Sequence, residues 1–301
     1  VAHYQGDYEV AQYLFQEAIV LWREMDDQAG LGSGLRNLGQ IYYELSQYSD
    51  ANLVYAESLT FHRAIGDPAG EAMTQHYRGQ LLRALGDYGN ASMLLEEALA
   101  YHQANGDRRN EAHALSHLGL LYSRLDMHDT GLDYLERAIE IMKEMESPWV
   151  QAKALTYYGW ALGDLERVND GRIALDGALR LQHSASFLRE AAKMETLAHR
   201  GRIALIRGDM TLAEACLRPV LAYIREHGTQ GIEHPGIIFT TGYKTLTICN
   251  RPEEADQAMQ EGYAFVTGQA KKISDDQMRE SYLHIPEHAE IIVQVEILAT
   301  G

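Results

Sequence analysis

Residues Gly79 to Ala98 read GQLLRALGDYGNASMLLEEA. A small residue opens the stretch, a Gly86-Asp87-Tyr88 turn separates two apolar-periodic segments, and Ala91 and Ala98 stand seven apart on the second. The same skeleton returns on both sides of it. Gly39, Gly79, Gly119 and Gly159 follow one another at intervals of 40, and Gly201 comes after 42. Ala51, Ala91, Gly131, Gly171 and Ala213 stand twelve residues after those glycines; Ser58, Ala98, Ala138, Ala178 and Val220 stand seven further on. The pattern predicts two helices per repeat, A then B, in tandem.

A glycine inside a helix costs about 1 kcal/mol relative to Ala, so five in register require a compensating contact. Close approach supplies one: at each glycine, helix B packs against the backbone of helix A, with Ala at the two later positions serving from the other side. A large side chain there would introduce roughly 1–3 kcal/mol of overpacking strain. One hairpin cannot bury both of its faces, so neighbours must stack into a solenoid.

These residue types resemble the tetratricopeptide repeat. Its small-residue pattern is carried by Leu38-Gly39, Tyr42, Ala51, Tyr55 and Ser58, and again by Leu118-Gly119, Tyr122, Gly131, Leu135 and Ala138. The resemblance spans residues 1–225, and more weakly 226–273. It implies an all-α, right-handed superhelical solenoid of antiparallel helix pairs with a C-terminal capping helix. The usual period is 34; here it is 40 and the terminal Pro is missing, similar to the long-repeat variant of partner-binding adaptors and bacterial signalling proteins. The six extra residues are expected between one helix B and the next helix A. The implied repeats are an incomplete one to about residue 30, then 31–70, 71–110, 111–150, 151–190 and 191–230, with a degenerate pair at 231–273 and a capping segment at 274–301.

Punctuation supports this division. In Ile65-Gly66-Asp67-Pro68, Gly66 suits a left-handed cap, Asp67 an N-cap and Pro68 the first helical position. Asn105-Gly106-Asp107 repeats the device without Pro, and at Ser147-Pro148 serine is expected to cap. Gly6-Asp7, Gly86-Asp87 and Gly208-Asp209 predict tight turns between A and B, whereas repeat 5 has Glu166-Arg167 there. Pro219 inside a helix B predicts a kink or an early end. Gly228 to Gly236, with Pro235, predicts a loop that interrupts the stack. Tyr243 then occupies the glycine position of the degenerate pair. The tail predicts a helix, a break near Pro286 and a short apolar helix that covers the last exposed face.

Composition sets bounds. A hydrophobic content of 46% over 301 residues suffices for a large core, spread along a solenoid. No run of about 18 apolar residues is present, so no membrane span is expected. Cys216 and Cys249 are too few and too isolated for a disulfide framework, which favours a cytoplasmic location. The formal net charge of −17 argues against nucleic acid as a partner. Val1 falls partway through a helix A, which suggests a piece of a longer protein.

The tail carries a second resemblance. Arg279-Glu280-Ser281-Tyr282-Leu283-His284-Ile285-Pro286-Glu287-His288-Ala289-Glu290-Ile291 is similar to the closing motif of helical-repeat regions in bacterial signalling ATPases and transcriptional activators, one residue short between Leu283 and Pro286. It implies a sensor or partner-docking role beside a switch or DNA-binding module.

Catalytic signatures are absent: there is no Walker-type phosphate loop, Gly-x-Ser-x-Gly elbow or His-Glu-x-x-His. His113 and His117, like His284 and His288, stand four apart but lack an obvious third ligand in sequence. No enzyme activity, metal or cofactor is expected. Helix A of a stacked hairpin lines the inner groove, and its inward positions lie three before the glycine, one after it and four or five after it. They select Arg36, Gln40, Tyr43 and Glu44; His76, Gln80 and Arg83; Ser116, Leu120, Ser123 and Arg124; Thr156, Trp160 and Asp164; and Arg202. The position six before the glycine adds His113 and Lys153. Arg, Lys and His with aromatic neighbours suit a protein or peptide partner with acidic groups. Two alternatives stay open: a small-molecule or signal-peptide sensor whose ligand changes solenoid curvature, and a self-association scaffold.

Overall fold

The computed structural model describes residues 8–184 and 190–300; the turn expected at Gly6-Asp7 lies outside them. Among the described residues the chain is all-α. Nine helices of 17 residues come first: α1 (Tyr8–Glu24), α2 (Gln28–Glu44), α3 (Tyr48–Ala64), α4 (Pro68–Ala84), α5 (Tyr88–Ala104), α6 (Arg108–Arg124), α7 (His128–Glu144), α8 (Pro148–Asp164) and α9 (Val168–Ser184). Then follow α10 (Glu190–Arg207), α11 (Met210–His227), α12 (Pro235–Ile248), α13 (Pro252–Lys272), α14 (Asp276–Leu283) and α15 (Pro286–Thr300).

Local chemistry sets these boundaries. From α1 to α9 every connector has three residues, and the middle one always takes a positive φ: 52° at Asp26, 64° at Gly66, 56° at Glu166. A single left-handed residue ends one helix, and where the next residue is an aspartate it can cap the helix that follows. Asp27, Asp67, Asp87 and Asp209 accept hydrogen bonds from the backbone N–H groups of Gly30, Gly70, Asn90 and Leu212. Replacing Gly-Asp by Glu166-Arg167 leaves the turn's shape intact, because Glu166 adopts the left-handed conformation itself.

Three local expectations change. The six residues beyond the usual period do not lie between B and A, because both kinds of connector are equally short; they lengthen the helices. Ser147 precedes α8 but its side chain makes no capping bond. Pro219 does not end its helix early, since α11 continues to His227. The proline lacks an N–H, which removes one ladder bond without breaking the helix.

Two compact units make up the chain: Val1–Ala114 with Lys271–Arg279, and Leu115–Ala270 with Glu280–Gly301. In the first, α1 to α5 pack each on the next, and α2 also meets α4. Gly39 and Gly79 lie against helix B. A Cβ at Gly39 would fall 2.5 Å from Cε1 of Tyr55, and one at Gly79 would fall 2.7 Å from Cγ of Leu95. Both partners are buried. Ser49 accepts a hydrogen bond from the Ser274 N–H and donates one to the Lys272 carbonyl, which ties the start of the tail to α3.

In the second unit α7 to α12 pack in series, with α8 also on α10 and α15 on α12. Gly119, Gly159 and Gly201 meet Leu135, Leu175 and Leu217 of their own hairpins; a Cβ would fall 2.5, 2.5 and 3.0 Å from those Cγ atoms. The buried Ile291 anchors α15, near Gly262 of α13.

Candidate functional site

The first compact unit gathers Arg36, Gln40, Tyr43, His76, Gln80, Arg83 and His113 on its A helices α2, α4 and α6. Arg36 is half-buried, and no hydrogen bond or ion pair joins it to another described residue. Burial pulls its guanidinium pKa below the ordinary value, while Tyr77, Asp67 and Tyr55 oppose that shift. Gln40, Tyr43, Gln80 and His113 are also half-buried. His76 is buried, its ring set edge-on to His113 at 6.2 Å and to Tyr77 at 5.4 Å. Tyr43 lies 6.1 Å from the ring of Tyr48. Arg83 is only 3% exposed and so belongs to the packed interior.

The second unit holds a denser cluster. Arg124 grips Glu287 of α15 with both guanidinium nitrogens, at 2.8 and 2.7 Å, and its Cζ stands 5.3 Å from the centroid of the Trp160 ring. Burial alone would raise the Glu287 pKa; Arg124 outweighs it and holds the carboxyl below its usual range. Trp160 is buried between two imidazoles, stacked on His199 at 4.5 Å and edge-to-face with His234 at 4.8 Å. Burial pushes the pKa of His199 well below the ordinary histidine value, and Arg202, His234 and Arg124 push it the same way.

The connector between α11 and α12 adds acids to this cluster. His234 Nδ1 lies 2.5 Å from Glu195 of α10, whose other oxygen accepts the Glu233 N–H at 3.2 Å. Glu233 accepts a hydrogen bond from the Tyr157 hydroxyl and pairs with Lys153 at 3.1 Å. Arg202 pairs with Asp164. Glu195, Glu233 and His234 each bring one potential metal-ligating atom within 4.8 Å of the others. The Lys153 ammonium already neutralises Glu233 and the Tyr157 hydroxyl donates to it, so the set is a hydrogen-bonded ion network as it stands.

The tetratricopeptide-repeat family model matches residues 1–64 and 70–144. The repeats over residues 1–144 are tetratricopeptide repeats. Solved structures extend the fold likeness along the chain. A Rap protein complexed with Competence and Sporulation Factor is similar at a TM-score of 0.65 and 12% identity, over 96% of this chain and 86% of that one. BtubC (BKLC) from P. vanneervenii gives 0.57 and 18%, over 73% and 91%. A tetratricopeptide repeat protein from Parabacteroides merdae ATCC 43184 gives 0.52 and 14%, over 92% of each chain. No curated protein sequence matches.

The repeats thus divide the expected groove residues into two kinds. Arg124, Lys153, Trp160 and Arg202 are brought together but engaged from within the second unit, by Glu287, Glu233, the two imidazoles and Asp164. Arg36 is the half-buried cation without such an acid among the described residues. Sequence reading missed Glu195 although it stands six before Gly201, the position that selects His113 and Lys153; Glu233, His234 and Glu287 lie outside the A-helix period that it followed. The Gly- and Pro-rich connector was the available signal. A segment rich in breakers that still carries Glu-His has a polar target to reach. No described helix is long and apolar enough to cross a membrane.

Proposed function

We propose that this chain is a non-catalytic module that binds a protein or peptide, and that carboxylates on the partner meet Arg36 and its half-buried neighbours Gln40 and Gln80. The state of Arg36 carries the reading. A guanidinium that has lost part of its water and is bonded to no acid, Asp67 acting on it only at a distance, gains most from an incoming carboxylate, because charge-assisted bidentate bonds are strong where water is scarce. The likeness to a Rap protein complexed with Competence and Sporulation Factor supports a binding role for this fold. We read the module as the sensor or docking part of a larger bacterial signalling or transcriptional regulator.

Isothermal titration of the full chain with glutamate-rich peptides tests this reading. Arg36→Gln should weaken binding about tenfold or more without lowering the melting temperature. Unchanged affinity in that variant would overturn the assignment.

A second reading, a small-molecule sensor, is supported by one observation. The indole N–H of the buried Trp160 and both ring nitrogens of the buried His199 have no hydrogen-bond partner among the described residues. Buried polar groups ordinarily have partners, so a small polar ligand would be favoured there. Its arrival should shift Trp160 fluorescence; a metabolite screen with no such shift counts against it.

A further inference from the structure

We infer a second docking surface, separate from Arg36: a groove on one face of the α8–α9 hairpin that receives an apolar side chain of an acidic peptide segment. The starting observation is a helical glycine for which packing gives no reason. Gly119, Gly159 and Gly201 stand where a Cβ would press on a partner helix, but a Cβ at Gly177 would lie 3.6 Å from Cδ1 of Leu155 and 3.7 Å from Nη2 of Arg180. Those are ordinary contact distances. Glycine in mid-helix costs about 1 kcal/mol against alanine, and nothing around Gly177 offsets that cost.

Register shows what the missing side chain leaves open. The positions forty residues apart from Gly177 hold Glu17, Glu57, Glu97 and Arg137. In the third repeat Gln75 donates to Glu97 at 2.6 Å, bridging helix A to helix B. Eighty residues later that pair becomes Leu155 and Gly177, so the polar bridge is replaced by an apolar side chain with nothing across from it. Leu35 and Leu115, which take the position of Leu155 in repeats whose helix B carries Glu57 or Arg137, are buried, whereas Leu155 is partly exposed.

The result is a groove of about 630 Å³ with Leu155, Ile173 and Leu181 among its lining residues and with Arg167 and Arg180 beside them. Arg167 is paired with Asp170; Arg180 makes no ion pair with a described residue. On a chain of net charge −17, the Arg180 guanidinium beside an apolar surface, with Arg167 shared by the groove's own Asp170, selects for a carboxylate flanking a hydrophobic anchor. Ile173 is 57% exposed, so the groove is open to solvent. An open groove suits one side chain on a peptide backbone better than an acyl chain, which gains its affinity from enclosure. The occupant is therefore a peptide segment with Leu, Ile or Phe between acids.

The test uses the full chain and acetylated pentapeptides in which Leu, Ile or Phe stands between two glutamates on each side. Binding is read as shifts of the Leu155, Ile173 and Leu181 methyl resonances. At least one peptide should shift them. Gly177→Ala should retain binding, Gly177→Met should abolish it by filling the groove, and Arg180→Glu should weaken it about tenfold or more. Thermal melts establish that each variant is folded, and Arg180→Glu keeps the test decisive if Gly177→Met is not. No shift with any of the three peptides overturns the inference. So does equal binding of the lysine-flanked versions, or a response to decanoate alone, which would mark an amphiphile site.

Discussion

Gly119 and Gly131 face each other backbone to backbone: a Cβ on Gly119 would lie 2.8 Å from the Gly131 carbonyl oxygen, and one on Gly131 would lie 2.7 Å from that of Gly119. Neither carbonyl can withdraw without breaking a helix, so this contact is less forgiving than one against a flexible side chain. Gly119→Ala should destabilise the fold by about 2 kcal/mol, overpacking strain exceeding the gain in helix propensity. Gly177→Ala should instead stabilise it by up to about 1 kcal/mol. Urea midpoints of the two variants check the contrast, and equal signs would refute the packing account.

The connector before α8 differs in two respects from those ending in Gly66-Asp67 and Gly86-Asp87. Glu146 takes a φ of 50° and Ser147 makes no capping bond. Glu146→Gly should relieve left-handed strain of about 1 kcal/mol. Ser147→Asp should add the bond that Asp27, Asp67 and Asp87 make, for a further gain of about 1 kcal/mol. Melting temperatures of the single and double variants should rise additively; a fall in either single variant would mean the local geometry is wrong.

Acid should loosen the second unit first. Burial lowers the pKa of His288 from the ordinary 6.5 to about 4, with His234 and Arg124 acting the same way and the Tyr282 carbonyl and Glu287 opposing. A histidine whose folded pKa is depressed contributes stability that is complete above pH 6.5 and is lost as pH falls through the interval down to about 4. The loss is on the order of 3 kcal/mol. Glu287, whose pKa is also lowered, adds a loss of the same sign at lower pH. Denaturation between pH 7 and pH 4 should show this slope, to which His199 adds with the same sign, and His288→Gln should reduce it without removing it. A slope unchanged in the variant would assign the effect elsewhere.

The Arg124–Glu287 pair is nearly out of solvent, with side chains 13% and 16% exposed. Glu287→Gln strands a guanidinium against Trp160 and should cost about 3 kcal/mol. Arg124→Met combined with Glu287→Leu should recover much of that loss. A double-mutant cycle measures the coupling, and a value near zero would reduce the pair to a surface contact.

The sequence made the repeat legible because its cause is local and periodic. Gly79 and Ala91 recur every forty residues since two backbones touch there, and Asp67 caps by a rule that needs only three neighbours. The candidate sites were less legible. Arg36 and Trp160 follow the A-helix period and could be placed on one face. Arg124 and Glu287, by contrast, are 163 residues apart, and no pattern joins a helix A to a tail. Glu195 meets His234 through a connector whose path composition does not specify. The Leu155–Gly177 gap was present in the letters, but it becomes visible only when repeat 5 is laid on repeat 3, where Gln75 and Glu97 touch.

The uniform three-residue connectors leave α1 to α9 without a length signal that distinguishes a hairpin turn from a junction between hairpins. Excising forty consecutive residues, cut at equivalent points in two connectors, would therefore bring together ends that already fit one another. Such a chain could grow or shrink by whole modules during evolution without inventing a new joint. The burden of telling neighbours apart would fall on the few side chains, such as Tyr55 and Leu95, that differ at the points where the glycines make contact.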